Sequence, residues 1–285
     1  MLQKTIKNAK DLDYCVTEGL LENENKFIFF EKNKTGDLII LIHGLGNNLI
    51  YLNQQFVSYF LEKEMNIMIF NLDGHGDNSE TNFSYRSFST TIEPAIDYAK
   101  SMGNYKIHLL GYSLGAYLAA RYVSQHPNKV ESIHMVAPLG STKISMRLII
   151  NEIRALMSPT VLSSLIKWGI EEMIPALGPF RRNKFPLKHE EQSLLKEISK
   201  WLEKDEELGF FSISKNTAGT IIYGELDEIC PARDLDLWKM RFPHLADHII
   251  KGGSHLTTPL HKQCCDFIYN DIKKEKLLIP EAIAV

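Results

Sequence analysis

The sequence predicts an α/β domain, with a mostly parallel sheet flanked by helices. Three observations carry this. Leu38–Ile42, LIILI, is an uninterrupted apolar run, the pattern of a strand buried on both faces. Tyr105–Ala120, YKIHLLGYSLGAYLAA, reads as an apolar strand, a Gly-x-Ser-x-Gly turn and a helix with small and apolar residues at helical spacing. Strand-like and helix-like segments alternate without a break from residue 37 to 137, which argues for βαβ units and parallel pairing.

Taken in order, residues 1–25 are polar and read as an irregular lead-in or a first edge strand. Lys26–Glu31, rich in Phe and Ile, is a strand, and Thr35-Gly36-Asp37 a turn. The Leu38–Ile42 strand runs into a glycine loop, His43 to Asn48. A helix over Tyr51–Glu64 places Leu52, Phe56, Tyr59 and Phe60 on one face. Asn66–Leu72 is the next strand, followed by the turn-rich Asp73-Gly74-His75-Gly76. A helix over about Phe88–Met102 and the Ser113 unit follow, then a strand at Val130–Ala137.

At Gly140 the rhythm changes. Residues 141–214 show helical apolar patterns broken by Pro159, Pro175, Pro179 and Pro186. They read as a helical insertion between two halves of one core, residues 1–140 and 215–285. The rhythm resumes with a strand at Thr220–Tyr223, a helix over Asp234–Arg241, a strand at Asp247–Ile250 and a helix from about Pro259 to Lys273.

Composition narrows the function classes. The 285 residues are 44% hydrophobic and 24% charged, with a net charge of −3. That is an ordinary globular composition, with no electrostatic case for nucleic acid or an anionic membrane. No apolar run approaches the roughly 20 residues of a membrane span. The N-terminus, MLQKTIKNAKDLDY, lacks the apolar core of a secretory signal, so a cytoplasmic location is expected. Cys15, Cys230, Cys264 and Cys265 lack zinc or CxxC spacing and read as free thiols. Asp73 with His75 finds no third ligand, so neither metal nor cofactor is expected.

A serine hydroxyl needs a histidine to take its proton and an acid to orient that histidine. Gly111 and Gly115 relieve the crowding of a tight strand-to-helix turn, which forces Ser113 into a strained conformation and projects its hydroxyl. Gly224-Glu225-Leu226-Asp227 follows one late strand and Gly252-Gly253-Ser254-His255 the next. Ser113, Asp227 and His255 therefore fall on strand-end loops at one edge of a parallel sheet, where ligands bind. Glu225 and Glu228 compete with Asp227 as the acid; the Gly224 and Pro231 spacing favours Asp227. His108 and His134 lie within strand runs and read as packed or edge residues. His126, His244 and His261 read as surface or cap residues, and His43 as a brace for its loop.

On these motifs the chain resembles the α/β-hydrolase fold family over about residues 26–270. The likeness rests on His43-Gly44, Asp73-Gly74-His75-Gly76, Gly111-Tyr112-Ser113-Leu114-Gly115, Gly224 with Asp227 and Pro231, and Gly253-Ser254-His255. It is most similar to esterases, monoacylglycerol lipases, lysophospholipases and thioesterases whose helical cap follows the strand after the nucleophile helix. Residues 141–214 match that cap in position. The resemblance implies a Ser113–His255–Asp227 triad and an oxyanion hole made by the backbone N–H groups of Leu45 and Leu114. His43, Gly44, Tyr112, Ile149, Ile153 and Met157 are then expected to border the substrate, a small-molecule acyl ester or thioester. An acyltransferase or C–C bond hydrolase with the same triad, and a non-catalytic binding module, are the alternatives. Ala116 stands where the family often has a third glycine, and no arginine precedes Gly74-His75-Gly76.

Overall fold

A computed structural model describes residues 2–44, 54–73, 75, 90–140, 200–201, 203–204 and 217–273. The insertion expected at 141–214 lies almost entirely outside the described residues. Within it, Trp201 is helical and buried.

The chain opens with α1 (Leu2–Asp11), β1 (Cys15–Leu20), β2 (Lys26–Glu31), β3 (Thr35–Ile42), α2 (Gln54–Glu62) and β4 (Asn66–Phe70). It continues through α3 (Glu93–Met102), β5 (Asn104–Tyr112), α4 (Leu114–Gln125) and β6 (Ser132–Val136). The last part holds β7 (Ala218–Gly224), α5 (Leu235–Arg241), β8 (Ala246–Ile250) and α6 (Lys262–Lys273). Eight strands form one sheet in the order β1-β2-β4-β3-β5-β6-β7-β8. β2 pairs antiparallel with both β1 and β4; every pair from β4 through β8 is parallel.

Leu38–Ile42 and the whole of β4 and β6 are buried, as central strands of a sheet covered on both faces are. α1, α2 and α6 pack together on one side, where Tyr59 of α2 donates to Asp266 of α6 at 2.6 Å. α4 and α5 meet through the Tyr117 and Trp238 rings, 6.2 Å apart. Because β3 through β8 run parallel, their carboxyl ends open onto a common edge.

Two expectations need correction. Residues 1–25 do hold the first edge strand, β1, but a full helix, α1, precedes it. Ile6 and Ala9 are buried while Lys4, Lys7 and Lys10 are exposed; one apolar residue per turn among lysines is too thin a stripe to stand out from sequence. Tyr14 then anchors this helix, its hydroxyl shared between the Leu61 and Met65 carbonyls at 3.0 and 3.1 Å. Thr35-Gly36-Asp37 is the start of β3, paired in register with Asn104–Lys106 of β5. Gly36 continues the strand at φ 93°, a conformation that reads as a turn from sequence alone.

Candidate active site

The turn from β5 into α4 is built by close approach. A Cβ on Gly115 would lie 2.1 Å from the Ile42 carbonyl oxygen, and one on Gly111 would lie 2.4 Å from the Gly115 carbonyl oxygen. Only glycine lets α4 leave β5 this tightly against the end of β3. Between them Ser113 sits at φ 54° and ψ −116°, a strain of about 1–3 kcal/mol for a residue with a side chain. The strain is held by β6: the Ser113 N–H donates to the Val136 carbonyl at 2.9 Å, and the Leu139 N–H donates to the Ser113 carbonyl at 3.3 Å. Leu114 opens α4, so its N–H has no acceptor within the helix and sits at the positive end of the helix dipole.

The two partners arrive from β7 and β8. Asp227 is buried, and its carboxylate is divided. Oδ1 accepts the N–H groups of Ile229 and Cys230 at 3.0 and 2.7 Å; Oδ2 faces His255 Nδ1 at 2.9 Å. His255 Nε2 lies 3.1 Å from Ser113 Oγ. Asp227 rather than Glu225 or Glu228 holds the imidazole; Glu225 instead accepts the Gly252 N–H at 2.8 Å. Burial works against the charged imidazole of His255, but the Asp227 carboxylate at Nδ1 outweighs it and holds the pKa well above the ordinary histidine value. Burial pushes up the pKa of Cys230, whose sulfur contacts the same ring, so the thiol stays neutral there.

The His255 turn is stitched to itself and to the acid loop. The Ser254 N–H donates to Thr257 Oγ1 at 2.8 Å, Thr258 Oγ1 donates to the Ser254 carbonyl at 2.7 Å, and the Leu226 N–H donates to the Gly253 carbonyl at 2.7 Å. Thr257 and Thr258 carry no motif that marks them as part of the site. The signal they do give is local: two threonines before a proline, just past a glycine turn, favour local side-chain-to-backbone bonds.

His43 is fully buried with both ring nitrogens engaged. Nε2 accepts the Leu72 N–H at 3.0 Å, which leaves the proton on Nδ1 to donate to the Gly44 carbonyl at 2.8 Å. Burial and the nearby His75 ring push its pKa down to about 3. His43 thus ties the end of β4 to the end of β3 and has no polar atom left for a substrate; its part is the brace. Gly44 lies against Tyr112 and Ser113, where a Cβ would come 3.1 Å from the Tyr112 ring. Tyr112 is buried and its hydroxyl donates to the His255 carbonyl at 2.8 Å. Leu45, Ile149, Ile153 and Met157 lie outside the described residues. Asp73 is bonded by Asn25 at 2.6 Å, and no cluster of three His, Cys, Asp or Glu side chains able to hold a metal occurs among the described residues. All four cysteines are free thiols.

The strand order agrees with the comparisons with known proteins. A family model described as alpha/beta hydrolase fold matches residues 37–161. The chain has the α/β-hydrolase fold. The structure of DcsB in complex with its substrate analogue superposes with a TM-score of 0.64 at 18% identity, covering 92% of this chain and 98% of that one. In sequence, the hydrolase-fold chain is 26% identical over 120 residues to the monoacylglycerol lipase abhd6-B of Xenopus laevis, covering 40% of this chain and 35% of that protein. It is 26% identical over 125 residues to the 1-acylglycerol-3-phosphate O-acyltransferase of Arabidopsis thaliana, covering 41% of this chain and 29% of that protein. The aligned part spans less than half the length of the curated relatives it matches. No helix among the described residues is long and apolar enough to cross a membrane.

Proposed function

We propose that this protein is a serine hydrolase of carboxylic esters or thioesters that works through an acyl-enzyme. The observation that carries the reading is His255, whose Nε2 lies 3.1 Å from Ser113 Oγ while Nδ1 lies 2.9 Å from Asp227 Oδ2. Asp227 accepts the Nδ1 proton, which leaves the Nε2 lone pair facing the serine hydroxyl. Ser113 Oγ attacks the acyl carbon as its proton passes to His255 Nε2. The oxyanion forms at the N-terminus of α4, where the Leu114 N–H is free of helical partners; the resemblance supplies Leu45 as second donor. Losing one such donor typically costs about 10²–10³ in rate. The tetrahedral intermediate collapses, the ester or thioester bond breaks, and the leaving alcohol or thiol takes the proton from His255. Water then attacks the acyl-enzyme by the same route, and the acid is released from Ser113.

An acyltransferase is the second reading, favoured by the likeness to the Arabidopsis thaliana protein. There an alcohol replaces water in the second half-reaction. A screen of p-nitrophenyl esters of graded chain length, with acyl-CoAs alongside, tests the hydrolase. Free acid released in step with p-nitrophenol supports hydrolysis. Acyl transfer to an added monoacylglycerol or lysophospholipid that outruns acid release favours the transferase. A chain that turns over none of these substrates, and whose serines are not labelled by a fluorophosphonate, is a binding module of the same fold.

A further inference from the structure

We propose that Tyr112 is a positioning residue that holds the His255 imidazole in register with Ser113, an inference that rests on the triad reading above. Tyr112 ends β5, immediately before the nucleophile. It is 3% exposed. Its hydroxyl donates to the His255 carbonyl at 2.8 Å, and its ring lies 5.2 Å from the imidazole with 33° between the planes. The opposite contact is to Gly44, where a Cβ would meet the ring at 3.1 Å. One side chain therefore links the strand of the nucleophile to the His255 turn while lying against the glycine at the end of β3.

The physical need is specific. Asp227 fixes one ring nitrogen, but the imidazole can still pivot unless its own backbone is fixed. The bonds of Thr257 and Thr258 are local to the turn, the Gly253 N–H donates back to the Ile250 carbonyl, and the Gly253 carbonyl accepts from the Leu226 N–H of the acid loop. None of these bonds reaches β5. The Tyr112 hydroxyl ties the backbone of His255 itself to the residue beside Ser113, so the distance from Nε2 to Oγ is set across one short bridge. Displacements of about 1 Å at such a pair are enough to cost large factors in rate.

Tyr112→Phe keeps the ring and removes that one bond. Four quantities are to be measured in wild type and variant: the labelling rate of Ser113 by a fluorophosphonate, kcat and KM on a p-nitrophenyl ester, the melting temperature, and the NMR resonance of the His255 Nδ1 proton. In the labelling step Ser113 Oγ bonds to phosphorus, the P–F bond breaks, fluoride leaves, and the serine proton passes to His255 Nε2. The expected result is labelling and kcat slowed together by about tenfold, close to 1.4 kcal/mol of barrier, with KM within twofold and the Nδ1 proton resonance shifted or broadened. Labelling at the wild-type rate with an unchanged resonance overturns the proposal. So does a raised KM at constant kcat, which makes Tyr112 a substrate wall, or a lowered melting temperature at constant kcat, which makes it core packing alone. Absence of labelling in the wild type overturns the hydrolase reading instead; the His255 resonance, compared between wild type and variant, still decides the role of Tyr112.

Discussion

His108 and His134 share one hydroxyl. Ser132 Oγ lies 2.7 Å from His108 Nδ1 and 2.8 Å from His134 Nε2. The chain of polar groups extends from Asp37, 3.2 Å from His108 Nε2, to Thr220 Oγ1, 3.0 Å from His134 Nδ1. Lys273 of α6 closes one end by donating to Asp37 at 2.6 Å, and Asp271 of the same helix lies 3.8 Å from His134 Nδ1. Both rings are interior residues of β5 and β6, so of the two expectations for them, packed is the one met.

This buried chemistry predicts acid sensitivity. Burial, helped by the His108 ring, pushes the pKa of His134 well down, as burial and His75 do for His43. The unfolded chain then takes up protons below the ordinary value near 6.5 while the folded chain does not. Stability is therefore full above pH 6.5 and falls as the pH drops toward about 3, by about 1.4 kcal/mol per pH unit for each such histidine. His255 adds no slope there: its raised pKa contributes stability that is complete below 6.5 and is lost only as the pH rises further. Urea midpoints measured from pH 7 to 4.5 should fall steadily, and less steeply in His134→Asn. Midpoints that stay level over this range contradict the prediction.

Asp227→Asn should lower kcat by roughly 10³- to 10⁴-fold without unfolding the protein. The Ile229 and Cys230 N–H groups occupy Oδ1, so the asparagine oxygen stays with them and its NH₂ faces His255. The imidazole must then accept at Nδ1 and carry its proton on Nε2, where it cannot take the serine proton. Turnover together with an unchanged circular-dichroism melt checks this; wild-type turnover would remove Asp227 from the site.

Activity should rise with pH as His255 loses its proton. Because its pKa is held above the ordinary histidine value, the midpoint of kcat/KM should lie above 6.5. The rate of Ser113 labelling should follow the same curve. A midpoint below 6.5 would mean that Asp227 does not dominate the environment of the imidazole.

Residues 141–214 lie between β6, which ends beside Ser113, and β7. If the apolar positions Ile149, Ile153 and Met157 wall an acyl pocket, each buried methylene adds about 0.8 kcal/mol. Two added carbons then raise kcat/KM by roughly tenfold until the pocket is full. Kinetics across C2 to C12 esters should show that rise; a maximum at acetyl would contradict it.

The sheet was legible because its strands are long apolar runs that have no other place to lie, as β3 and β4 show. The tight turn around Ser113 was legible because Gly111 and Gly115 answer a steric demand that no other residue meets. Asp227 and His255 could be picked out because each follows a strand whose end the topology fixes. α1 was not legible, since its buried stripe is only partly apolar, and Gly36 misled because a positive φ inside a strand leaves the same trace as a turn. Tyr112 could be seen in the sequence but its partner could not: a bond from residue 112 to residue 255 is set by the tertiary meeting of β5 with the turn after β8.

The central claim is that Ser113 is a nucleophile activated by His255. A fluorophosphonate probe followed by mass spectrometry of the labelled peptide tests it most directly. One adduct on Ser113 is predicted, absent in Ser113→Ala and strongly slowed in His255→Ala. Labelling that persists in Ser113→Ala on another serine, or no labelling of the folded wild-type protein, would contradict the account.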